Sequence, residues 1–352
     1  MKKKVGHTNS EIILVTGGAG FIGSHFIKYI SHKYPNYKII NFDKLTYAGN
    51  LNNLTGLGDD QNYTFVKGDI AVNSDVENVF EQFNPSFVVN FAAETHVDKS
   101  ILDPNIFLKT NIMGTQNLLN HSKEQDVKKF VQISTDEVYG SVQKDSPSIE
   151  DEKISSNNPY SASKAAADQL VRVAHHTFKQ RVNIVRSCNN YGANQFPEKL
   201  IPTIISNAMN NQKIPIFGSG SNIREWLYVE DHCRAIDLIL HDAVPGRIYN
   251  VGSGIHYTNL EITKLILKQM DKTDELIEFV EDRKGHDFCY AINSEKIKKE
   301  LNWEPEFSFA SGIKQTINWY VDHQDWLKEI QSGDYLKFNQ KVATEGLMED
   351  FR

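Results

Sequence analysis

The sequence predicts an α/β fold: a doubly wound parallel sheet with a smaller C-terminal lobe. Two patterns carry that expectation. Through the first half of the chain, short apolar runs of strand length alternate with longer amphipathic stretches of helix length. Beyond about Ser187 the alternation loosens, and Pro197, Pro202, Pro215, Gly218 and Gly220 break it up.

Taken in order, residues 11–15 read as a strand and 20–32 as a helix. Strands follow at 38–42 and 64–66, a helix at 74–82 and a strand at 87–91. One long helix is expected over 106–125, then a strand at 129–134, a helix at 159–176 and a strand at 181–185. Residues 1–10 read as a loose tail, 11–187 as the first domain and 188–352 as mainly the second lobe. Residues 229–240 again read as a helix, so segments around 226–252 are expected to pack back on the first domain.

Composition narrows the function. A chain of 352 residues, 40% hydrophobic and 24% charged, is large enough to enclose a cofactor and a substrate. Lys plus Arg number 38 against 45 Asp plus Glu, a net charge of -7. That balance argues against nucleic acid and anionic membranes as partners, and any anionic ligand needs locally placed cations. Cys188, Cys233 and Cys289 fit neither a zinc spacing nor a disulfide framework, so no metal is expected and the thiols read as reduced. No apolar stretch is long enough to cross a membrane, and no signal core follows Lys2–Lys4. A cytoplasmic protein is expected.

The first motif is Val15-Thr16-Gly17-Gly18-Ala19-Gly20-Phe21-Ile22-Gly23, between a strand and a helix. Glycines at 17, 20 and 23 allow a tight turn and close backbone approach to a pyrophosphate, which then faces the free N–H groups of the helix. Asp43 ends the next strand, where a carboxylate accepts from ribose hydroxyls and repels a 2′-phosphate. NAD is therefore the expected cofactor, in a Rossmann-type domain. Asp69 and Ile70 follow a further strand and would flank the adenine, although Asp69 could equally cap a helix.

The second motif is Tyr160-Ser161-Ala162-Ser163-Lys164 after Pro159, with Tyr and Lys on one helix face. A phenol needs its pKa lowered by about three units, roughly 4 kcal/mol, to act as a base near neutrality. The expectation is that the Lys164 ammonium, together with a positive nicotinamide, supplies this. The third is Ser134-Thr135-Asp136-Glu137-Val138-Tyr139-Gly140 at a strand's carboxyl end, which is where such sheets bind ligands. Adjacent acids are usually exposed. If both enter one site, their pKa values can separate into an acid and a base.

Together with Asn90-Phe-Ala-Ala-Glu-Thr-His-Val-Asp98, Asn189-Asn-Tyr-Gly192, Gln195-Phe-Pro-Glu-Lys-Leu-Ile-Pro202 and Trp226-Leu-Tyr-Val-Glu-Asp-His232, these motifs resemble the extended short-chain dehydrogenase/reductase family, and within it the dTDP-glucose 4,6-dehydratases. The resemblance runs from about Ile12 to about Trp303. It implies that Tyr160 takes the 4-OH proton while NAD oxidises C4, that Glu137 takes the C5 proton, that Asp136 protonates the departing 6-OH, and that the hydride returns to C6. It places Thr135 on the 4-oxygen and Lys164 beside Tyr160. It implies cofactor contacts at Phe21, Ile22, Lys44, Thr46, Ala92, Ala93, Thr110 and Asn190. The nucleoside-diphosphate glucose would meet Thr95, Asn189, Lys199, Leu200, Pro215, Phe217, Arg224, Asn259, Arg283 and His286. It also implies a homodimer joined through helices around 107–122 and 161–178.

The cations fit the chemistry, since a diphosphate needs charge-assisted donors. Arg224 by itself could as well make a surface salt bridge. His96 reads as a loop-holding histidine, because Tyr160 and Glu137 already supply the bases. Thr95 stands where the pattern has Ser. Ala193-Asn194, Lys284 and Phe288-Cys289 depart from it near the expected nucleotide pocket. Rival readings are a UDP-glucose 4,6-dehydratase, a nucleotide-sugar 4-epimerase, which needs neither acid, and a non-catalytic NAD-binding regulator on the same fold.

Overall fold

A computed structural model describes residues 11–57, 60–282 and 286–333. The expected tail at 1–10 lies outside the described residues, as does Arg283. The strands are β1 (Ile12–Thr16), β2 (Lys38–Asp43), β3 (Tyr63–Lys67), β4 (Phe87–Asn90), β5 (Lys129–Thr135), β6 (Val182–Ser187), β7 (Asn189–Tyr191), β8 (Ile214–Phe217), β9 (Ile223–Tyr228), β10 (Ile248–Val251), β11 (His256–Thr258) and β12 (Ile277–Val280). The helices are α1 (Phe21–Lys33), α2 (Asn73–Phe83), α3 (Val97–Leu102), α4 (Pro104–Phe107), α5 (Thr115–Glu124), α6 (Pro159–Phe178), α7 (Leu200–Met209), α8 (Val229–Asp242), α9 (Asn259–Gln269), α10 (Glu295–Leu301), α11 (Phe309–Asp322) and α12 (Gln324–Ser332).

Seven strands form one sheet in the order β10-β6-β5-β4-β1-β2-β3, and every pairing in it is parallel. Strands buried on both faces read as continuous apolar runs, as Ile12–Thr16 and Phe87–Asn90 do. Alternation along each strand then divides the side chains between two layers. Ile13, Val15, Val89 and Val131 meet Phe26 and Ile30 of α1 and Ile236 and Ile239 of α8. Leu14, Val88 and Phe130 meet Val76 and Phe80 of α2, Leu118 of α5 and Val171 of α6. Helix α8, although late in the chain, packs against α1. A separate apolar cluster joins Ile201, Ile204 and Ile205 of α7 to Ile262 and Ile266 of α9, Ile313 of α11 and Trp326, Leu327 and Ile330 of α12. Around it lie a three-stranded sheet, β11-β9-β7, and a two-stranded one, β12-β8. Among the described residues no helix is long and apolar enough to cross a membrane.

The long helix expected over 106–125 is not continuous. It is divided into α4, a π-helical stretch at Leu108–Gly114, and α5. The side chain of Asn111 (2% exposed) accounts for this. It accepts from Glu94 N at 2.9 Å and donates to Glu94 O at 3.0 Å and Ser163 Oγ at 2.8 Å. The wider turn carries that amide into a loop and a helix far away in sequence, and such turns recur at functional sites. Apolar periodicity carries no trace of it.

Under the sheet's carboxyl edge lies a charged pair. Arg186 Nε donates to Asp168 Oδ2 at 2.9 Å, and neither side chain reaches solvent by more than 1%. Arg186 Nη1 also donates to Tyr139 Oη at 2.8 Å, and Tyr139 donates to Asn250 Oδ1 at 2.8 Å. The pair thus ties β6 and α6 to the turn at Asp136–Tyr139. Replacing Arg186 with Met leaves a buried carboxylate without its cation, so a loss of about 3–5 kcal/mol is expected in urea unfolding. A loss below about 1 kcal/mol would mean that the pair contributes little beyond what apolar packing provides.

Candidate active site

The sheet adds strands one way from β1 to β3, then the other way from β4 to β6. Between β1 and β4 the following loops diverge and leave a crevice at their carboxyl ends. Two connected chambers occupy it, about 320 Å³ and 370 Å³, the size range of ligand pockets. Thr95, Glu137, Asn189, Asn190, Gln195, Glu198 and Lys199 line both.

The first chamber is lined by Gly17, Gly20, Phe21, Ile22, Gly23, Asp43, Lys44, Thr46, Asp69, Ile70, Ala92, Ala93, Thr110 and Asn190, and by Thr135, Asp136, Glu137, Tyr160 and Lys164. Gly17 sits at φ +70°, and a Cβ there would lie 2.6 Å from Ala92 N. A Cβ on Gly23 would lie 2.3 Å from Gly17 O. Only glycine fits either place. Helix α1 starts after Gly20 with no side-chain cap, so its first N–H groups face the chamber without a side-chain acceptor. Asp43 (8% exposed) accepts from Leu45 N at 2.8 Å and Ala19 N at 2.9 Å. Each carboxylate oxygen retains a further acceptor site, so the residue fits the expected ribose as well as the turn. These features suit a dinucleotide with a free 2′-hydroxyl. Lys44 Nζ pairs with Asp69 Oδ2 at 2.8 Å, and Asp69 Oδ1 also accepts from Ala71 N at 2.9 Å.

The acid pair enters this crevice. Thr135 caps the turn Asp136–Tyr139, accepting from Glu137 N at 3.2 Å, and Thr135 Oγ1 donates to Asp136 Oδ1 at 3.2 Å. Burial, reinforced by Glu137 and Glu225, pushes Asp136 well above the ordinary carboxylate range. Asp136 Oδ2 is buried without a hydrogen-bond partner. Burial also raises Glu137, opposed by Arg224, Lys199 and the Asn158 amide. Cations and an amide thus favour the ionised form at Glu137 more than at Asp136.

Asn158 caps α6 in a reciprocal pair with Ser161, and Pro159 fills the first helical position. This aims Tyr160 and Lys164 into the crevice. Lys164 Nζ donates to Ile133 O at 2.6 Å. Burial, followed by the charges of Glu137 and Asp136, raises Tyr160 above its ordinary value, against a hydrogen bond with Thr135. The lowered phenol expected from the sequence is therefore not a property of the chain alone. Two nearby carboxyls and desolvation outweigh an ammonium that is committed to a carbonyl.

The second chamber is lined by Thr95, Asn189, Lys199, Leu200, Pro215, Phe217, Arg224, Asn259 and His286. The Oδ1 atoms of Asn189 and Asn259 are buried there without partners, which suits a polar ligand. Arg224 is no surface salt bridge. It is 8% exposed, donates through Nη2 to Asp287 O at 2.9 Å, and lies 4.4 Å from the Tyr290 ring centre. His96 caps α3 through Nδ1 and lies 3.6 Å from Glu198 Oε2, a loop-holding position.

Sequence reasoning assigned no role to Tyr290, Asp287 and Asn158, which lie around Glu137. Tyr290 Oη lies 3.4 Å from Glu137 Oε2 and donates to Asp287 Oδ2 at 2.6 Å. Asn158 Nδ2 lies 3.5 Å from the same Glu137 oxygen. Gln195 and Glu198 stood inside a quoted motif, but no spacing connects Tyr290 to a group 153 residues away.

Comparison with known proteins agrees with this geometry. The family profile described as GDP-mannose 4,6 dehydratase matches residues 14–316. A low-salt glycan biosynthesis protein, Agl12, of Haloferax volcanii is 47% identical over 88% of this chain and 98% of its own length. A dTDP-glucose 4,6-dehydratase of Xanthomonas campestris is 41% identical over 92% of this chain and 96% of its own. The crystal structure of dTDP-glucose 4,6-dehydratase from Bacillus anthracis in complex with NAD superposes with a TM-score of 0.86 at 44% identity, covering 91% of this chain and 100% of that one.

Burial lowers Lys164 to about 8, and the Asp168 carboxylate opposes that shift. The ammonium is thus present below about pH 8 and lost above it. With ¹³C at lysine Cε, two resonances are expected to titrate near 8, those of Lys129 and Lys164, both lowered by burial, and the one lost in Lys164→Met gives the Lys164 midpoint. Removing the negative charge with Asp168→Asn is expected to move that midpoint down. An upward move, or titration with the bulk lysines, would contradict the environment described.

Proposed function

This chain belongs to the GDP-mannose 4,6 dehydratase family, and from that premise we propose that it acts as an NAD-dependent dTDP-glucose 4,6-dehydratase, a hydro-lyase yielding dTDP-4-keto-6-deoxyglucose. The observation that carries the reading is the joint entry of Tyr160, Asp136 and Glu137 into one crevice beside a dinucleotide cradle. A 4-epimerase needs the phenol but neither acid, and a binding protein needs none of the three. NAD, when bound, supplies the oxidant for C4 and the reductant for C6, and its charge lowers the Tyr160 phenol.

The chain's own residues move the protons. Tyr160 Oη takes the proton of the 4-hydroxyl as C4 becomes a ketone. The ketone acidifies C5–H, and ionised Glu137 removes that proton. Neutral Asp136 donates to the departing 6-oxygen, which leaves as water, and Glu137 returns a proton to C5. Tyr160 has then gained one proton and Asp136 has lost one. The Thr135 hydroxyl, which favours the phenolate form of Tyr160 and donates to Asp136 Oδ1 at 3.2 Å, lies beside both groups that must exchange it. In the second chamber, Arg224 and Lys199 offset the diphosphate charge, while Asn189 and Asn259 bond the nucleotide.

We assign the chain to the cytoplasm and to a homodimer. Leu102 (85% exposed), Met113 (59%), Val173 (49%) and Phe178 (50%) are exposed apolar side chains on α3, the π-helical stretch and α6, and we read them as one face. That face supports pairing through these helices. Met113→Glu combined with Phe178→Glu is expected to halve the sedimenting mass. A monomeric wild type would end the proposal.

The function is tested by mass spectrometry of dTDP-glucose turned over in heavy water. Loss of one water with one deuterium at C5 is expected. Glu137→Gln should slow elimination by roughly 10²–10⁴-fold. C4 inversion without water loss would favour an epimerase, and an unchanged sugar in the presence of NAD would overturn the reading.

A further inference from the structure

Resting on the dinucleotide reading above, we propose that Asn53 is a positioning residue for NAD, and that helix α12 holds it in place through Trp326. The loop between β2 and the turn at Leu51–Leu54 supplies Lys44, Thr46, Ala48 and Gly49 to the first chamber. Something must hold this loop against the glycine turn. Ala19, inside that turn, donates through its N–H to Asp43 Oδ2 at 2.9 Å, and its carbonyl accepts from Asn50 N at 2.9 Å. The same carbonyl accepts from Asn53 Nδ2 at 3.0 Å. Asn53, 1% exposed, therefore bonds the peptide next to the one expected to face the pyrophosphate.

The other end of the amide is held from far away in sequence. Asn53 Oδ1 accepts from Trp326 Nε1 at 3.0 Å and from Asn194 Nδ2 at 3.1 Å. Trp326 is 8% exposed and rooted in the C-terminal core with Leu327 and Ile330. A second tie runs from Asn52 Nδ2 to Glu329 Oε2 at 3.0 Å. Both lone pairs of the Asn53 carbonyl and one amide proton are thus used. Asp lacks the donor, and Gln adds a methylene to a packed site. The C-terminal helix acts as a strap: the loop cannot swing off the cofactor without breaking a buried indole hydrogen bond. An enzyme whose cofactor ends each cycle as it began gains from such retention, and none of these groups touches the reacting carbons.

Trp326→Phe keeps the packing and removes only the indole donor. Asn53→Ala removes the hub. Trp319→Phe, on the same helix pair, serves as the control, since Trp319 stacks on His323 and edges Trp326 without bonding Asn53. Displacement of a fluorescent NAD analogue from the full-length protein by excess NAD measures release. Trp326→Phe should release the analogue about tenfold faster, the loss expected of one buried neutral hydrogen bond, and Asn53→Ala, which removes the bonds to Ala19, Trp326 and Asn194, at least tenfold faster. The double variant should be no faster than Asn53→Ala. At saturating NAD, kcat and the sugar-nucleotide KM should stay within about twofold of wild type, a split that general destabilisation does not produce. Unchanged release in Trp326→Phe, or equal acceleration in Trp319→Phe, overturns the proposal. Failure of wild-type protein to bind the analogue at all would instead overturn the dinucleotide reading.

Discussion

A reversal in strand order between β1 and β4 is the constraint on which the rest of the molecule depends. Parallel strands must be joined by crossovers, and crossovers on opposite sides of that seam carry the loops apart. The gap becomes the crevice. Its floor is formed by the glycine turn after β1, the loop after β4 and the turn after β5. Each arrives at the same edge because every strand points the same way. The cradle and the acid pair are therefore consequences of one topological choice.

That placement carries an electrostatic cost. Asp136, Tyr160 and Lys164 lie buried and Glu137 half-buried within one crevice, and desolvation is the largest influence on each of them. It raises the acids and the phenol and lowers the amine, so the protein alone leans toward neutral forms. Arg224, Lys199 and Asn158 counteract this at Glu137, whereas Glu137 and Glu225 reinforce it at Asp136. The asymmetry between two adjacent carboxyls is thus set by residues contributed from β9, the segment before α7, and the cap of α6. Behind them, the Arg186–Asp168 pair and Tyr139 keep the turn from shifting.

The C-terminal part of the chain does more than close the second chamber. Tyr320 of α11 donates to the carbonyl of Gln195, which lines both chambers, and Trp326 of α12 reaches the loop beside the glycine turn. Helix α8 returns to the first layer and packs on α1. Cofactor cradle and sugar chamber are therefore held by the same late helices.

Much of this was legible in the residues. Apolar runs located six of the seven parallel strands, all but β10, because burial on both faces leaves a one-dimensional signature. Gly17, Gly23, Asp43 and Pro159 were readable for the same reason, since each meets a requirement of local backbone geometry. Arg224 and Lys199 beside Glu137 came from the resemblance, but its other neighbours were not readable. Tyr290, Asp287 and Asn158 approach it across gaps that no periodicity spans, and the direction of the Tyr160 shift depends on desolvation, which exists only once the chain has packed. The break in the helix near Asn111 and the bond from Trp326 to Asn53 belong to the same class. Sequence by itself determined most elements of the first half and the glycine cradle, because these follow from local rules, and resemblance to a family named the candidate reacting side chains. Tertiary structure alone decided their protonation and their supports, because both depend on which distant groups exclude water from them.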